Sequence, residues 1–316
     1  MKKLGFGCMR LPLTEKGNDE SVDRVYAAEM FDTFIERGFT YFDTAYMYHK
    51  STSEQVVGER LVSRHKRDSF LLASKMPVGM MNEKEDLEKI FANQKEKCCA
   101  EYFDYYLLHC LNTENYEKAI KFGVFEALMQ KKENGEIRKL GFSFHDTADV
   151  LDKILTEHPE MEFVQLQINY LDWENESVQS RLCYETARKH GKDIIVMEPV
   201  KGGSLVNLPK EADEILRSLG DGSNASYAIR FAASFEGIFM VLSGMGNMEM
   251  MNDNISYMKD FKPLSSEEFE AIYKVLEIVK KEITEKKKFD FAGVMKKATD
   301  FLNEMQVPFE VNALSA

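Results

Sequence analysis

The chain has 316 residues and a mass of 36.4 kDa, with 44% hydrophobic and 30% charged residues, which is the composition of an ordinary globular protein. Its formal net charge is −12, so it lacks the excess of Lys and Arg that a nucleic-acid-binding surface normally requires. No apolar run approaches the roughly 20 residues that a membrane-spanning helix needs. We therefore expect neither nucleic acid nor a membrane as a partner.

The cysteines and the N-terminus indicate a compartment. The five cysteines form no C-x-x-C pair, which fits buried thiols in a reducing environment better than a disulfide framework or a zinc site. No long apolar stretch follows Met1-Lys2-Lys3, so no secretory signal is predicted. We expect a cytoplasmic protein that is a monomer or a weak homo-oligomer.

Eight short apolar runs alternate along the chain with segments of helical periodicity. The runs predict strands over Leu4–Cys8, Thr40–Asp43, Phe70–Lys75, Tyr105–His109, Ile137–Ser143, Phe163–Gln167, Ile194–Glu198 and Ile238–Ser243. Most are continuously apolar, as expected for parallel strands that helices cover. Helices are predicted over Glu20–Arg37, Ser53–Ser63, Glu114–Asn134 and Asn175–His190. A glycine stands at or just after the end of three of them and is typical of a helix stop.

Eight uninterrupted β/α units predict an α/β fold, the closed (β/α)8 TIM barrel, as a single domain with extra C-terminal helices. The alternative is an open doubly wound sheet, but no G-x-G-x-x-G follows the first strand, as it would in a dinucleotide-binding sheet. We assign residues 1–260 to the barrel and 261–316 to a helical extension packed on it. The extension begins near Ser265 and includes a second predicted helix, Phe289–Met305.

Three predicted strands end in groups that can do chemistry. Asp43 ends the second strand, with Tyr48 five residues later, Lys75 ends the third, and His109 ends the fourth. Barrel enzymes carry their active sites at the C-terminal ends of the strands, so these side chains are expected to meet. An acid, a phenol, an amine and an imidazole in this order resemble the catalytic tetrad of the aldo-keto reductases.

The resemblance to that family covers nearly all of Leu4 to about Met258. Its motifs are Leu4-Gly5-Phe6-Gly7-Cys8-Met9-Arg10, Phe42-Asp43-Thr44-Ala45 with Tyr48, Ser53-Glu54 with Gly58, Ala73-Ser74-Lys75, Leu107-Leu108-His109, Gly141-Phe142-Ser143, Gln167-Ile168-Asn169-Tyr170 and Met197-Glu198-Pro199. The resemblance implies an NAD(P)H-dependent oxidoreductase that reduces an aldehyde, ketone or sugar-like carbonyl. A similar sub-group often carries an iron–sulfur tail, which needs closely spaced cysteines. No cysteine follows Cys183, so no iron–sulfur cluster is expected.

The roles that the resemblance implies match what the reaction needs. Hydride transfer builds negative charge on the carbonyl oxygen, and Tyr48 would supply the proton as general acid. Lys75 would lower the pKa of Tyr48, and Asp43 would hold Lys75 in a buried ion pair. His109 would orient the carbonyl. Each residue alone is more often structural, and the set together favours catalysis.

The resemblance also implies a nicotinamide site at the ends of the later strands. Ser143 and Gln167 would bind the carboxamide, although Phe144 follows Ser143 where the family often has Asn. Met197 takes the place of an aromatic residue that commonly stacks on the ring. The predicted cofactor-binding set is Asp43, Ser143, Gln167, Met197, Pro199, Lys201, Gly202, Gly203, Ser204, Leu205, Ser243, Gly244, Met245, Asn247, Asp253 and Asn254.

Two positions bear on the choice between NADP and NAD. Relatives that prefer NADP place Lys and Arg where this chain has Gly244 and Met250, and the segment here is acidic. A dianionic 2′-phosphate would go uncompensated. We predict weak discrimination for NADPH, or a preference for NADH.

Loops, not the fold, decide the substrate of a barrel enzyme. We expect the substrate pocket to be lined by Met9, Arg10, Met76, His145, Tyr170 and Trp173. Arg10 is a candidate anchor for a substrate carboxylate or phosphate, and a surface salt bridge is its plain alternative.

Two other functions use the same residues. A metal-dependent hydrolase could draw on Asp43, His49, His109 and His145, but barrel metallohydrolases usually carry a His-x-His pair on the first strand, and Lys75 would repel the cation. A non-catalytic or regulatory nicotinamide-binding subunit is favoured by the altered cofactor contacts and opposed by the complete tetrad.

Overall fold

Eight parallel strands close into a barrel in the order in which they occur along the chain. The structure is a computed structural model, and it describes residues 2–220 and 222–284. The strands are β1 (Leu4–Gly7), β2 (Tyr41–Asp43), β3 (Leu71–Met76), β4 (Phe103–Leu111), β5 (Ile137–Phe144), β6 (Phe163–Gln167), β7 (Asp193–Met197) and β8 (Ile238–Ser243). The barrel closes where β1 pairs with β8, Leu4 opposite Val241. Each predicted strand overlaps an observed one, and the predicted (β/α)8 barrel is confirmed.

Helices connect the strands and cover the barrel. They are α1 (Arg24–Glu36), α2 (Tyr48–Ser51), α3 (Ser53–Val57), α4 (Asp86–Lys97), α5 (Thr113–Phe122), α6 (Val124–Glu133), α7 (Ala148–Glu157), α8 (Ser180–Lys189), α9 (Lys210–Arg217), α10 (Asn224–Ala233), α11 (Met248–Met258) and α12, which is helical throughout 266–284. Short 3-10 turns lie at Cys8–Arg10, Arg67–Ser69, Val78–Met80 and Lys201–Gly203, and a π turn at Gly58–Val62. Asp23 begins α1 by accepting a hydrogen bond from the Tyr26 N–H, as an N-cap side chain does.

Two predicted helices are interrupted, and a third begins later than expected. Glu114–Asn134 is the pair α5 and α6, because Gly123 between them adopts the left-handed region with φ of 65°, where a helix cannot continue. The segment Ser53–Ser63 is α3 followed by the π turn. Asn175–His190 is helical only from Ser180, because the residue before it, Gln179, has φ of 54°.

Alternation along the strands divides the core into two layers. A cluster inside the barrel contains Tyr41, Ala73, Leu107, Phe163, Ile195, Met240 and Leu242, and a larger cluster fills the space between strands and helices. Residues two apart in a strand point to the same face. Asp43 therefore points inward with Tyr41, and Lys75 points inward with Ala73.

Helix α12 packs beside the barrel against α10. Ile272 and Val275 of α12 share a buried cluster with Phe231 of α10 and with Leu205. The predicted helix Phe289–Met305 lies outside the described residues, and the domain division at 260/261 stays a prediction. Within the described part of the chain, no helix is both long enough and apolar enough to cross a bilayer.

Candidate active site

A buried ion pair lies at the ends of β2 and β3. The Lys75 ammonium donates to Asp43 Oδ1 at 2.6 Å and to the Thr44 carbonyl at 2.8 Å, and the Lys75 side chain is 0% exposed. A buried ammonium without a partner would be very costly. Burial lowers the pKa of Lys75, but Asp43 and Tyr48 raise that pKa above its ordinary value. Lys75 is therefore protonated at neutral pH.

The phenol of Tyr48 is the third member of this cluster. Lys75 Nζ lies 3.3 Å from Tyr48 Oη and 4.8 Å from the centre of its ring. Burial raises the pKa of Tyr48 and Lys75 lowers it, with a net rise to about 12. Lys75 lowers the pKa of Tyr48, as predicted, but burial raises that pKa by more. The phenol therefore keeps its proton at neutral pH.

His109, at the end of β4, completes the set. Its ring meets the ring of Tyr48 edge to face, with centroids 6.0 Å apart. Burial, Lys75 and His145 lower the pKa of His109 to about 3, so the imidazole is neutral. Its Nδ1 is buried and has no hydrogen-bond partner among the described residues. The three strand-end side chains and the phenol of Tyr48 therefore lie around one point of the barrel mouth.

His49 is a positioning residue that the sequence left ambiguous. It follows Tyr48 in a left-handed turn, with φ of 50°. Its Nε2 accepts from the Leu11 N–H at 3.1 Å, and its Nδ1 lies 3.0 Å from the Asp19 carbonyl. Both ring nitrogens thus hold the loop after β1. Among residues 2–220 and 222–284, no three His, Cys, Asp or Glu side chains form a metal-binding group.

A second buried network supports β3 from its outer side. Gln94 of α4 donates to Glu54 Oε1 at 2.6 Å and to the Lys75 carbonyl at 3.0 Å, and it accepts from Tyr106 Oη at 2.5 Å. Ser74 also donates to Glu54 Oε1, at 2.6 Å. The network fixes the backbone that carries Lys75. Gln94 gave no sequence signal, because one amide on a helix face has no distinctive pattern.

The residues expected to hold the carboxamide lie at the ends of β5 and β6. Ser143 Oγ accepts from the Cys110 N–H at 2.8 Å, and Gln167 Nε2 donates to Asp172 Oδ2 at 2.7 Å. Lys201, which belongs to the predicted cofactor-binding set, is paired with Asp172 and is therefore not a free cation. Asp172 is fully buried and was missed, since a lone aspartate in a loop carries no motif.

The loop after β7 is shaped by left-handed residues. Glu198, Lys201, Gly202 and Gly203 have φ of 55°, 47°, 61° and 98°. Pro199 is buried, Ser204 is exposed and Leu205 belongs to the core between α10 and α12. Met197 is half-buried at the end of β7, and its sulfur lies 3.6 Å from the side-chain amide of Gln165, a buried interior residue that the sequence did not indicate.

In the segment after β8, several side chains that were predicted to contact the cofactor form hydrogen bonds within the protein. Asn254 is buried, donates to Ser243 Oγ at 2.7 Å and accepts from Tyr257 Oη at 2.5 Å. Asp253 accepts from Ser223 at 2.7 Å.

The other predicted cofactor residues of that segment differ in their exposure and contacts. Met245 is fully buried, and Asn247 caps α11 by accepting from the Met250 N–H. Gly244 is exposed, and a Cβ there would lie 2.8 Å from Cγ of Arg10. Arg10 therefore crosses Gly244 closely.

The predicted pocket residues separate into two groups. Met9, Arg10 and His145 are exposed on loops at the barrel mouth, and His145 and Gln167 line a cavity of about 180 Å³. The other three lie in the packing around the barrel and are not brought to the mouth. Met76 is fully buried in the layer under the helices, Tyr170 is buried against Phe231, and Trp173 stacks on Phe235 at 4.4 Å.

Comparison with known proteins assigns the family. The model of the aldo/keto reductase family matches residues 3–277. The chain is 23% identical over 307 residues to the oxidoreductase YqkF of Bacillus subtilis, an alignment that covers 86% of this chain and 92% of YqkF.

Solved structures share the fold. The holo form of aldo-keto reductase AKR11C1 from Bacillus halodurans superposes with a TM-score of 0.68 at 24% identity, covering 86% of this chain and 91% of that chain. An aldo-keto reductase from Klebsiella pneumoniae in complex with NADP and acetate gives 0.68 at 20% identity, covering 87% and 91%. Likeness at such identities establishes the fold alone, whereas the family match spans most of the sequence. The chain therefore belongs to the aldo/keto reductase family and is an NAD(P)-dependent oxidoreductase.

Proposed function

We propose that the protein reduces a small aldehyde, ketone or sugar-like carbonyl, with Tyr48 as the general acid. The observation that carries this proposal is the contact of Tyr48 Oη with Lys75 Nζ at 3.3 Å, while Asp43 holds Lys75 at 2.6 Å. A proton donor and a fixed positive charge thus lie side by side at the barrel mouth, where enzymes of this fold carry their active sites.

Tyr48 and Lys75 divide the work of the proton transfer. As the carbonyl carbon is reduced, negative charge grows on the carbonyl oxygen. Tyr48 gives its proton to that oxygen, and the ammonium of Lys75 stabilises the phenolate that remains. Because Asp43 keeps Lys75 charged and in place, this stabilisation needs no rearrangement during the reaction.

His109 supplies a second donor to the same oxygen. Its Nδ1 is buried without a partner in the described part of the chain, and a buried N–H group is rarely left unpaired. The single proton of the neutral imidazole therefore belongs on Nε2. His109 orients the carbonyl by donating from Nε2, and Tyr48 then transfers its proton.

The residues present fit a nicotinamide dinucleotide. Ser143 accepts the Cys110 N–H and so keeps its own hydroxyl proton for a ligand. A Cβ at Gly203 would have no atom within 4 Å, whereas one at Gly202 would lie 3.7 Å from Nη2 of Arg10. Backbone N–H groups of left-handed glycines suit phosphate oxygens. The cofactor, when bound, supplies the hydride.

We infer weak discrimination between NADPH and NADH. The exposed Met250 and its neighbour Glu249, in the first turn of α11, offer no cation to a 2′-phosphate. Titration of NADH and NADPH against the fluorescence of Trp173 tests this, since Trp173 is the only tryptophan. We expect dissociation constants within about tenfold of each other, equivalent to about 1.4 kcal/mol. An NADPH affinity more than a hundredfold tighter would overturn the inference.

The substitution Tyr48→Phe tests the catalytic assignment. Loss of a general acid lowers kcat by about 10²–10⁴-fold, while cofactor affinity should hold, because no cofactor contact is assigned to Tyr48. Tyr46→Phe is the matched control: Tyr46 lies on the same loop and contacts the ammonium of Lys97. Reductase activity that survives in Tyr48→Phe would refute the role. A wild-type protein that binds cofactor but reduces no carbonyl would favour a non-catalytic binding subunit instead.

A further inference from the structure

We propose that Asp172 is a positioning residue that fixes the polarity of the Gln167 amide, so that Gln167 presents only its carbonyl oxygen to the cofactor. The site would then require an N–H donor at this point, which the carboxamide of nicotinamide provides. The inference rests on the proposed function, because it concerns the nicotinamide site of that reaction.

Asp172 gathers three donors around one buried carboxylate. Its Oδ2 accepts from Gln167 Nε2 at 2.7 Å and from Asn169 Nδ2 at 2.8 Å. Its Oδ1 accepts from the ammonium of Lys201. The Asp172 side chain is 0% exposed while that of Lys201 is 35% exposed, so Lys201 closes the solvent side of the group and compensates its charge. A buried carboxylate is tolerated when it is paired and bonded in this way.

The carboxylate determines which way the Gln167 amide faces. An ionised carboxylate can only accept hydrogen bonds, so Gln167 must turn its NH₂ group toward Asp172. The Gln167 carbonyl oxygen has no donor within the described residues, and the side chain is half-buried and lines the cavity beside β5 and β6. An unpaired acceptor is thereby offered to a ligand.

Ser143 offers the opposite polarity on the neighbouring strand. Because its oxygen already accepts the Cys110 N–H, its hydroxyl proton remains for a ligand carbonyl. A primary carboxamide satisfies both residues in one orientation only, with NH₂ toward Gln167 and oxygen toward Ser143. The orientation of the nicotinamide ring would follow from Asp172, although Asp172 need not touch the cofactor.

The same cluster also joins two loops, which gives the competing explanation. Asn169 Nδ2 donates to the Glu198 carbonyl at 3.0 Å, and Lys201 lies beside Gly202 in the left-handed loop after β7. If Asp172 only shapes that loop, its loss would weaken every part of a dinucleotide alike. If Asp172 orients Gln167, its loss would weaken the binding of the carboxamide specifically.

A pair of cofactors separates the two explanations. Reduced 3-acetylpyridine adenine dinucleotide keeps the ring carbonyl but has a methyl group in place of NH₂, so it cannot donate to Gln167. We expect the wild type to bind NADH about threefold to tenfold more tightly than this analogue, the value of one hydrogen bond. In Asp172→Asn, Lys201 attracts the new amide oxygen, and the amide NH₂ then faces Gln167. Gln167 must flip, and the preference should fall below about twofold.

A double variant supplies the rescue and guards against misfolding. The double variant Asp172→Asn with Lys201→Met removes both the negative and the positive charge. The asparagine oxygen can then accept a hydrogen bond from Gln167 again. The preference for NADH should return to the wild-type range of about threefold to tenfold. Asp32→Asn is the matched control, because Asp32 pairs with Arg64 on the outer surface of the barrel, and it should change neither affinity.

ADP-ribose, which lacks nicotinamide, reports on the loop alone, and its affinity should stay unchanged in Asp172→Asn. A preference that persists in Asp172→Asn, a double variant that does not recover it, or a parallel loss of ADP-ribose affinity would each overturn the proposal. These titrations need no turnover. A wild type that is inactive on every carbonyl but keeps the nucleotide preference would therefore sink the proposed function alone, whereas one that binds neither nucleotide would sink both.

Discussion

Replacing Lys75 by Met tests whether the ion pair at the barrel mouth is as isolated from water as the structure indicates. Met matches much of the lysine volume but leaves Asp43, which is 2% exposed, without its cation. Removing one partner of a buried pair costs about 3–5 kcal/mol of unfolding free energy. A salt bridge of similar length on the surface, between Lys139 and Glu162 at 2.7 Å, should cost about 1 kcal/mol or less when Lys139 becomes Met.

The pH dependence of the loss identifies its cause. In the wild type, burial raises the pKa of Asp43 above its ordinary value, and the Lys75 ammonium limits that rise. Without Lys75, a destabilisation of about 4 kcal/mol corresponds to a folded-state pKa about three units above the unfolded value near 3.9. A raised carboxyl pKa penalises the folded state above that pKa, and the penalty shrinks as the pH falls. The loss should therefore drop from about 4 kcal/mol at pH 8 to about 1–2 kcal/mol at pH 5.

Urea unfolding followed by far-ultraviolet circular dichroism at the two pH values measures both quantities. The double variant Lys75→Met with Asp43→Asn removes the uncompensated charge and should be more stable than Lys75→Met alone at pH 8. The reasoning would be refuted if Lys75→Met lost equal amounts of unfolding free energy at pH 5 and pH 8. It would also be refuted if the double variant were less stable than Lys75→Met.

Two further predictions follow from the described contacts. Because the pKa of His109 is about 3, kcat/KM should show no ionisation near 6.5 between pH 5 and 9. An acid limb near 6.5 that disappears in His109→Gln would contradict this. Gly58→Ala should destabilise by about 1–3 kcal/mol, although alanine favours helices, because its Cβ would lie 2.1 Å from the Lys97 carbonyl. Gly246→Ala, whose Cβ would meet its nearest atom at 3.6 Å, is the control, and thermal unfolding compares the two.

The strands could be predicted from the sequence because most of them are short, continuously apolar runs, and three of them end in a reactive group. Phe163–Gln167 and Ile238–Ser243 match β6 and β8 at both bounds. Once the strands are parallel and close into a barrel, their C-terminal ends must meet at one mouth. The convergence of Asp43, Lys75 and His109 therefore follows from topology and needs no knowledge of side-chain contacts.

The loop contacts could not be predicted from the sequence, because each depends on which of several possible partners lies nearby in the folded protein. Lys201 lies in a glycine-rich loop and has the properties of a phosphate-binding cation. It forms an ion pair instead with the buried carboxylate of Asp172, from the preceding β/α unit. Tyr170 and Trp173 follow a strand end and could have faced the pocket. They turn outward instead, because Phe231 of α10 and Phe235, which follows that helix, offer apolar partners. No local pattern encodes either choice.

In the proposed reaction, the rigid strand ends carry the chemistry and the open loops carry the specificity. Lys75 and Asp43 are sealed by direct bonds and almost no solvent reaches them. The loops after β1, β2 and β3 carry Met9, Met47 and Met80, which are 55%, 48% and 48% exposed. Methionine is flexible and adapts to irregular apolar surfaces. On the proposed function, we therefore expect substitutions at these three positions to change which carbonyl is accepted, while the charges around Lys75 and the proposed proton transfer stay as they are.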